Sequence, residues 1–118
     1  MRILLIEDSK FLGQAIRDTL TRLGHAVTLV GDGMLAHAAF ETDAFDLLIM
    51  DWVLPKFSGA DLLARLQGRQ VPILIISGLA EPESVMPSDC HFLRKQGLTI
   101  AELVRTVDSL APAAPISL

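Results

Sequence analysis

Cysteine is nearly missing from this chain. Cys90 is the only one among 118 residues, so no internal disulfide forms. A compact chain of this length buries roughly 65–70% of its unfolded surface and needs no such staple. The composition suits a reducing compartment, and a cytoplasmic location is expected. Long apolar runs are missing too. Nothing approaches the ~20 residues that a membrane helix needs, so no membrane association is expected. The opening "MRILLIEDS" is too short and too acidic for a secretory signal. Nor is there a basic excess. Ten Lys and Arg stand against 14 Asp and Glu, a net charge of −4, which argues against direct nucleic-acid binding. Repeats are absent, and the three histidines (His25, His37, His91) lack both metal-ligand spacing and a bundle-helix pattern. What remains is one globular domain over residues 1–110. The biased segment "APAAPISL", residues 111–118, reads as a flexible tail or the start of a linker.

Within the domain, short apolar runs alternate with helical patterns. "RILLI" (2–6), "AVTLV" (26–30), "LLIM" (47–50), "PILII" (72–76) and a weaker "CHFL" (90–93) are strand candidates. Residues 10–23 place Phe11, Leu12, Ala15, Ile16, Thr19, Leu20 and Leu23 on one helical face, and Gly24 stops that helix. Gly31-Asp32-Gly33 is a turn before a short helix over 34–42. Ser58-Gly59-Ala60-Asp61 and Thr99-Ile100-Ala101-Glu102 are capping boxes. The first opens a helix to about Leu66. The second opens a last helix with Ile100, Leu103, Val104, Val107 and Leu110 facing inward. Such alternation predicts an α/β fold, a parallel sheet covered on both faces by helices.

In a sheet of this kind, ligands sit beyond the carboxyl ends of the strands. The polar residues that follow the apolar runs therefore share one edge. These are Glu7-Asp8 after the first strand, Asp51 after the third, Ser77-Gly78 after the fourth and Arg94-Lys95 after the fifth. Three carboxylates brought together are unfavourable unless a cation joins them or a protonation shifts. Hard oxygen ligands with open positions suit Mg²⁺. Each residue alone has a plainer reading. Asp8 is a possible helix cap, Ser77 a turn hydroxyl and Lys95 a solvated side chain. The set is more specific than its members.

These residues resemble the receiver domains of two-component response regulators. The resemblance spans residues 1 to about 110 and rests on Glu7-Asp8, Asp51, Pro55 and Gly59 in "LPKFSG", Ser77-Gly78, Lys95 and "DGMLA" (32–36). It implies a flavodoxin-like (βα)5 three-layer sandwich with strand order 2-1-3-4-5. It also implies that Asp51 is a phosphoacceptor, charged by a histidine kinase, a histidine phosphotransfer protein or a small acyl phosphate. Asp8, Asp51 and the backbone carbonyl of Val53 would ligate Mg²⁺, with Glu7 acting through water and Mn²⁺ as a substitute. Lys95 and Ser77 would hold the phosphoryl oxygens, and Phe92 matches the aromatic switch position. Val53 and Leu79 match positions that set phosphoryl lifetime. Both are apolar and unable to orient water, so self-dephosphorylation is expected to be slow for the class. Trp52, the only tryptophan in a chain without tyrosine, reads as a ring covering the site whose emission reports on it.

Two departures from the family pattern stand out. Gln96 follows Lys95 where the family has proline with a cis peptide; a trans bond is expected here, and the placement of Lys95 is then open. Only fourteen residues separate Ser77 from Phe92, about one helical turn fewer than usual, and they include Pro82 and Pro87. A fourth helix of one or two turns, or an ordered loop, is expected, with Leu79, Val85 and Met86 either packed on the sheet or forming a partner surface. The chain is not expected to be a conventional enzyme, only to catalyse its own Mg-dependent phosphorylation and dephosphorylation. It is expected to be a monomer or weak homodimer, and either a single-domain regulator or the front of a longer protein. The alternative is a receiver-like binding module that works without phosphate. An aspartate-nucleophile phosphatase would need a second acid where Val53 stands, and a dinucleotide site would need a glycine-rich loop after the first strand.

Overall fold

Four-residue apolar runs with no polar face can only sit in a sheet that is covered on both sides. The computed structural model, which describes residues 1–52, 61, 62, 64, 71–78 and 90–110, contains such a sheet. Strands β1 (Arg2–Ile6), β2 (Ala26–Val30), β3 (Leu47–Asp51), β4 (Ile73–Ser77) and β5 (His91–Arg94) pair in the order β2-β1-β3-β4-β5, every pair parallel. This is the flavodoxin-like order expected from the sequence. Two strands run one residue beyond their apolar cores: Asp51 and Ser77 are the last residues of β3 and β4.

Alternation along the strands divides the core in two. Ile3, Leu5, Leu47, Ile49, Leu74, Ile76 and Leu93 face helices α1 (Lys10–Arg22) and α3 (Ile100–Leu110), packing on Ile16, Leu20, Leu103 and Val107. Leu4, Ile6, Leu48, Met50 and Ile75 face the other way, against Ala36 and Phe40 of α2 (Gly33–Thr42), Phe45 and Leu62. Asp61, Leu62 and Ala64 are helical, in keeping with a helix between the third and fourth strands.

Each helix start has a local cause. Ser9 caps α1 and accepts a hydrogen bond from the Leu12 N–H at 3.3 Å, so Asp8 is left free of that task. Asp32 caps α2 through Leu35 N–H at 2.9 Å, and the Thr99 hydroxyl accepts from Glu102 N–H at 3.1 Å ahead of α3. Gly24, at φ +96°, ends α1 as predicted.

Two helix faces differ from the sequence reading. Phe11 is 88% exposed and Leu23 and Ala15 are exposed, while the buried stripe of α1 is Gly13, Ile16 and Leu20. A glycine carries no hydrophobic signal, so apolar periodicity placed the face too far round toward Phe11. Ile100 is likewise 66% exposed, because it occupies the first helical position and Leu103 and Val107 define the inward stripe. The capping box at Ser58, the shortened fourth helix, the patch of Leu79, Val85 and Met86, and the tail all lie outside the described residues.

Ile49 is fully buried in the central strand, so Ile49→Ala is expected to cost about 2–5 kcal/mol in urea denaturation. Phe11→Ala is expected to change stability by less than about 0.5 kcal/mol. A loss at Phe11 comparable to that at Ile49 would restore the inward-facing reading.

Candidate functional site

Parallel pairing carries the ends of β1, β3, β4 and β5 to one edge, and the ladder continues one residue beyond two of them. The Glu7 N–H donates to Val30 O at 3.0 Å, and the Lys95 N–H donates to Ser77 O at 2.9 Å. Glu7, Asp51 and Lys95 keep the parity of Leu5, Ile49 and Leu93, so they share the α1/α3 side of the sheet. There they meet. The Lys95 ammonium lies 2.5 Å from Asp51 Oδ2 and 3.5 Å from both Glu7 carboxylate oxygens. Oxygens of Glu7, Asp8 and Asp51 lie within 4.8 Å of one another. Glu7 and Asp51 are only 5% and 6% exposed, while Asp8 faces solvent.

The missing proline after Lys95 is offset by a turn. Leu98 N–H donates back to Lys95 O at 3.2 Å, and Gly97 supplies φ +77° at the third position, as a type II turn requires. No cis peptide occurs among the described residues, so Lys95–Gln96 is trans as expected. Strand pairing on one side and this turn on the other aim the lysine without proline. The sequence reading missed Gly97, although Gln-Gly between a strand and a capping box was a turn signal. It also missed the Ser9 N–H, which donates to Glu7 Oε1 at 3.1 Å.

Charge in the pocket does not balance on its own. Three ionised carboxylates and one ammonium leave −2, the charge that one divalent cation neutralises. Burial pushes the Glu7 carboxyl above its ordinary value, against the pull of the Ser9 N–H and the Lys95 charge, with Asp8 and Asp51 raising it further. For Lys95, burial acts to lower the pKa. The hydrogen bond and charge of Asp51, together with Glu7, outweigh burial, so the lysine stays protonated. Clustered hard oxygens, two carboxylates held in place by the fold and one reaching solvent, fit an oxygen-seeking divalent ion that keeps part of its water shell.

Ser77 is fully buried at the end of β4, and Phe92 is half-buried on β5. By parity with Ile75, Ser77 belongs to the α2 side, the same side on which Phe92 packs. Phe92 is paired with Ile75 and Arg94 with Ser77, so Phe92 sits diagonally behind Ser77. Trp52, next to Asp51, packs half-buried against the same cluster. The structure thus gathers Glu7, Asp8, Asp51 and Lys95 into one cluster and sets Ser77 and Phe92 behind it. Val53 and Leu79 lie outside the described residues.

The family model of the response regulator receiver domain matches residues 3–88. The chain belongs to that family. Among relatives of this receiver is the response regulator protein PmrA of Pseudomonas aeruginosa, 47% identical over 79 residues, which cover 65% of this chain and 36% of PmrA. The receiver thus spans about a third of the length of the curated relatives it matches. Among solved structures, the receiver domain of Francisella response regulator 1452 superposes with a TM-score of 0.84 at 29% identity, covering 92% of this chain and 94% of that one. The receiver domain of a sensor histidine kinase from Pseudomonas aeruginosa PAO1, with a magnesium ion coordinated in its active site cleft, gives a TM-score of 0.79 at 28% identity over 92% of this chain and 95% of that one.

A carboxyl whose pKa is raised by folding contributes stability below its unfolded value, near 4.5, and loses it as pH rises through the folded value. Ionised Glu7 is therefore a net cost to the cation-free receiver at neutral pH. With chelator present, Glu7→Gln is expected to melt above the parent protein at pH 7, the difference closing toward pH 4. A lower melting temperature for the variant at pH 7 would mean that the Lys95 pair, not burial, governs Glu7.

Proposed function

We propose that Asp51 accepts a phosphoryl group from a phosphohistidine of a histidine kinase or phosphotransfer protein, or from a small acyl phosphate. The observation that carries this reading is the buried Asp51 carboxylate, held against the Lys95 ammonium beside Glu7 and Asp8. One Asp51 oxygen forms the new bond to phosphorus as the P–N bond to the imidazole breaks, and the freed imidazole takes a proton. Catalysis here is positioning and charge neutralisation, with little covalent work for the protein. Lys95 supplies a positive charge on the acceptor, where negative oxygens arrive. Asp8 and Asp51 would hold Mg²⁺ directly, together with the Val53 carbonyl, with Glu7 acting through water and Mn²⁺ as a substitute ion. That ion supplies the charge that lets a phosphoryl group approach an acidic pocket.

Once Asp51 carries phosphate, the buried Ser77 hydroxyl would gain a strong acceptor at its strand end, and movement there would open or close space for Phe92. A shared face and diagonal register support this coupling. It is a two-state element biased by a local charge, and the two states differ in what they bind. Apolar Val53 and Leu79 would leave an incoming water without orientation, giving a long-lived phosphoryl group.

Incubation with a small acyl phosphate and Mg²⁺ is expected to add one phosphoryl mass to the intact protein, with no increment in Asp51→Asn. An unchanged increment in that variant would place the acceptor elsewhere. No increment in the folded parent protein would favour a receiver-like module that binds partners without phosphate.

A further inference from the structure

Helix α1 comes closer to the acidic pocket than its apolar pattern indicates, and the reason is a residue with no side chain. Gly13 is buried in the helix interior, a position where glycine is unfavourable. A Cβ at Gly13 would lie 3.0 Å from Leu29 Cδ1, 3.3 Å from Leu29 Cδ2 and 3.5 Å from Glu7 Cβ. A side chain at Gly13 would therefore press on Leu29 and reach ordinary contact with the stem of Glu7. Both Leu29 methyl groups face the notch, so turning that side chain exchanges one contact for the other. Leu29 also packs on the α1/α3 core and pairs with Leu5 in the sheet, which limits retreat.

The same helical turn reaches the pocket through the backbone. Gly13 N–H donates to Ser9 O at 2.8 Å, and Ser9 N–H donates to Glu7 Oε1 at 3.1 Å. Asp8 lies between Glu7 and Ser9 in the chain, inside the second of these hydrogen bonds. We propose that Gly13 is a positioning residue for the acidic pocket. Its missing side chain sets the height of the first turn of α1, and that height places the Ser9 N–H on Glu7 and brings Asp8 within 4.8 Å of Glu7 and Asp51. The inference rests on the reading that these three carboxylates hold a divalent cation.

Calorimetric titration with Mg²⁺, paired with melting in chelator, tests it on the parent protein, Gly13→Ala, Leu29→Ala and the double variant. Gly13→Ala is expected to weaken Mg²⁺ binding about tenfold, the low end for a group that orients ligands from behind. Its cation-free melting temperature is expected to stay at or above the parent's, since alanine favours the helix. Leu29→Ala in the Gly13→Ala background makes room for the added methyl and is expected to restore binding, while Leu29→Ala alone leaves binding unchanged. Unchanged affinity in Gly13→Ala overturns the proposal, as does weakened affinity that follows a lowered melting temperature and is not restored in the double variant. If Gly13→Ala does not fold, the double variant decides. Parent-like affinity supports the proposal, and weakened affinity or a second failure to fold overturns it. A parent protein that binds no Mg²⁺ would instead refute the divalent-site reading, and this inference with it.

Discussion

The contact between the Lys95 ammonium and Asp51, with Glu7 alongside, is the constraint around which the rest of this receiver is arranged. Two carboxylates buried at the end of a sheet are tolerable only with opposite charge close by. That charge arrives from the far side of β4, on β5, three strands away from β1 in the order β2-β1-β3-β4-β5. The ion cluster therefore requires correct pairing of four strands, and the strand ladder supplies it with hydrogen bonds that run one residue past β1 and β5. The pair also remains short of balance. A single lysine leaves a deficit that the protein resolves by binding cations or protons, and this makes the pocket a site and not merely a buried bridge.

Geometry then separates two tasks across one sheet. Residues with the parity of Glu7, Asp51 and Lys95 face α1 and α3 and build the acidic pocket. Residues with the parity of Ser77 and Phe92 face the α2 side and lie behind the pocket. Under the proposed function, a phosphoryl group on Asp51 would be reached from both sides, and the local charge event would have a path to the opposite layer without a special linker. The path is short because β3, β4 and β5 are adjacent and in register, Asp51 against Ile76 and Ile75 against Phe92.

Much of this was legible in the residues. Unbroken apolar runs at 3–6, 47–50 and 73–76 announce strands buried on both faces, and the polar groups after them fall at one edge once the strands are parallel. The site residues follow from that logic with little help from propensity. Glycine was the blind spot. At Gly97 a left-handed turn takes over the aiming of Lys95 that the family assigns to proline. At Gly13 the absence of a side chain turned the buried face of α1 away from Phe11. Neither leaves a mark in an apolar pattern, because the information lies in what the backbone approaches. Ile100 failed for a related reason: a residue in the first turn of a helix has the correct period but lies too near the rim to be covered.

Fluorine NMR of beryllofluoride added to the folded protein tests the central claim most directly, since this anion takes the place of a phosphoryl group on a carboxylate. The account predicts a bound resonance that appears with Mg²⁺, is absent in chelator and is abolished by Asp51→Asn. A folded, Mg²⁺-saturated protein that shows no bound resonance would contradict it.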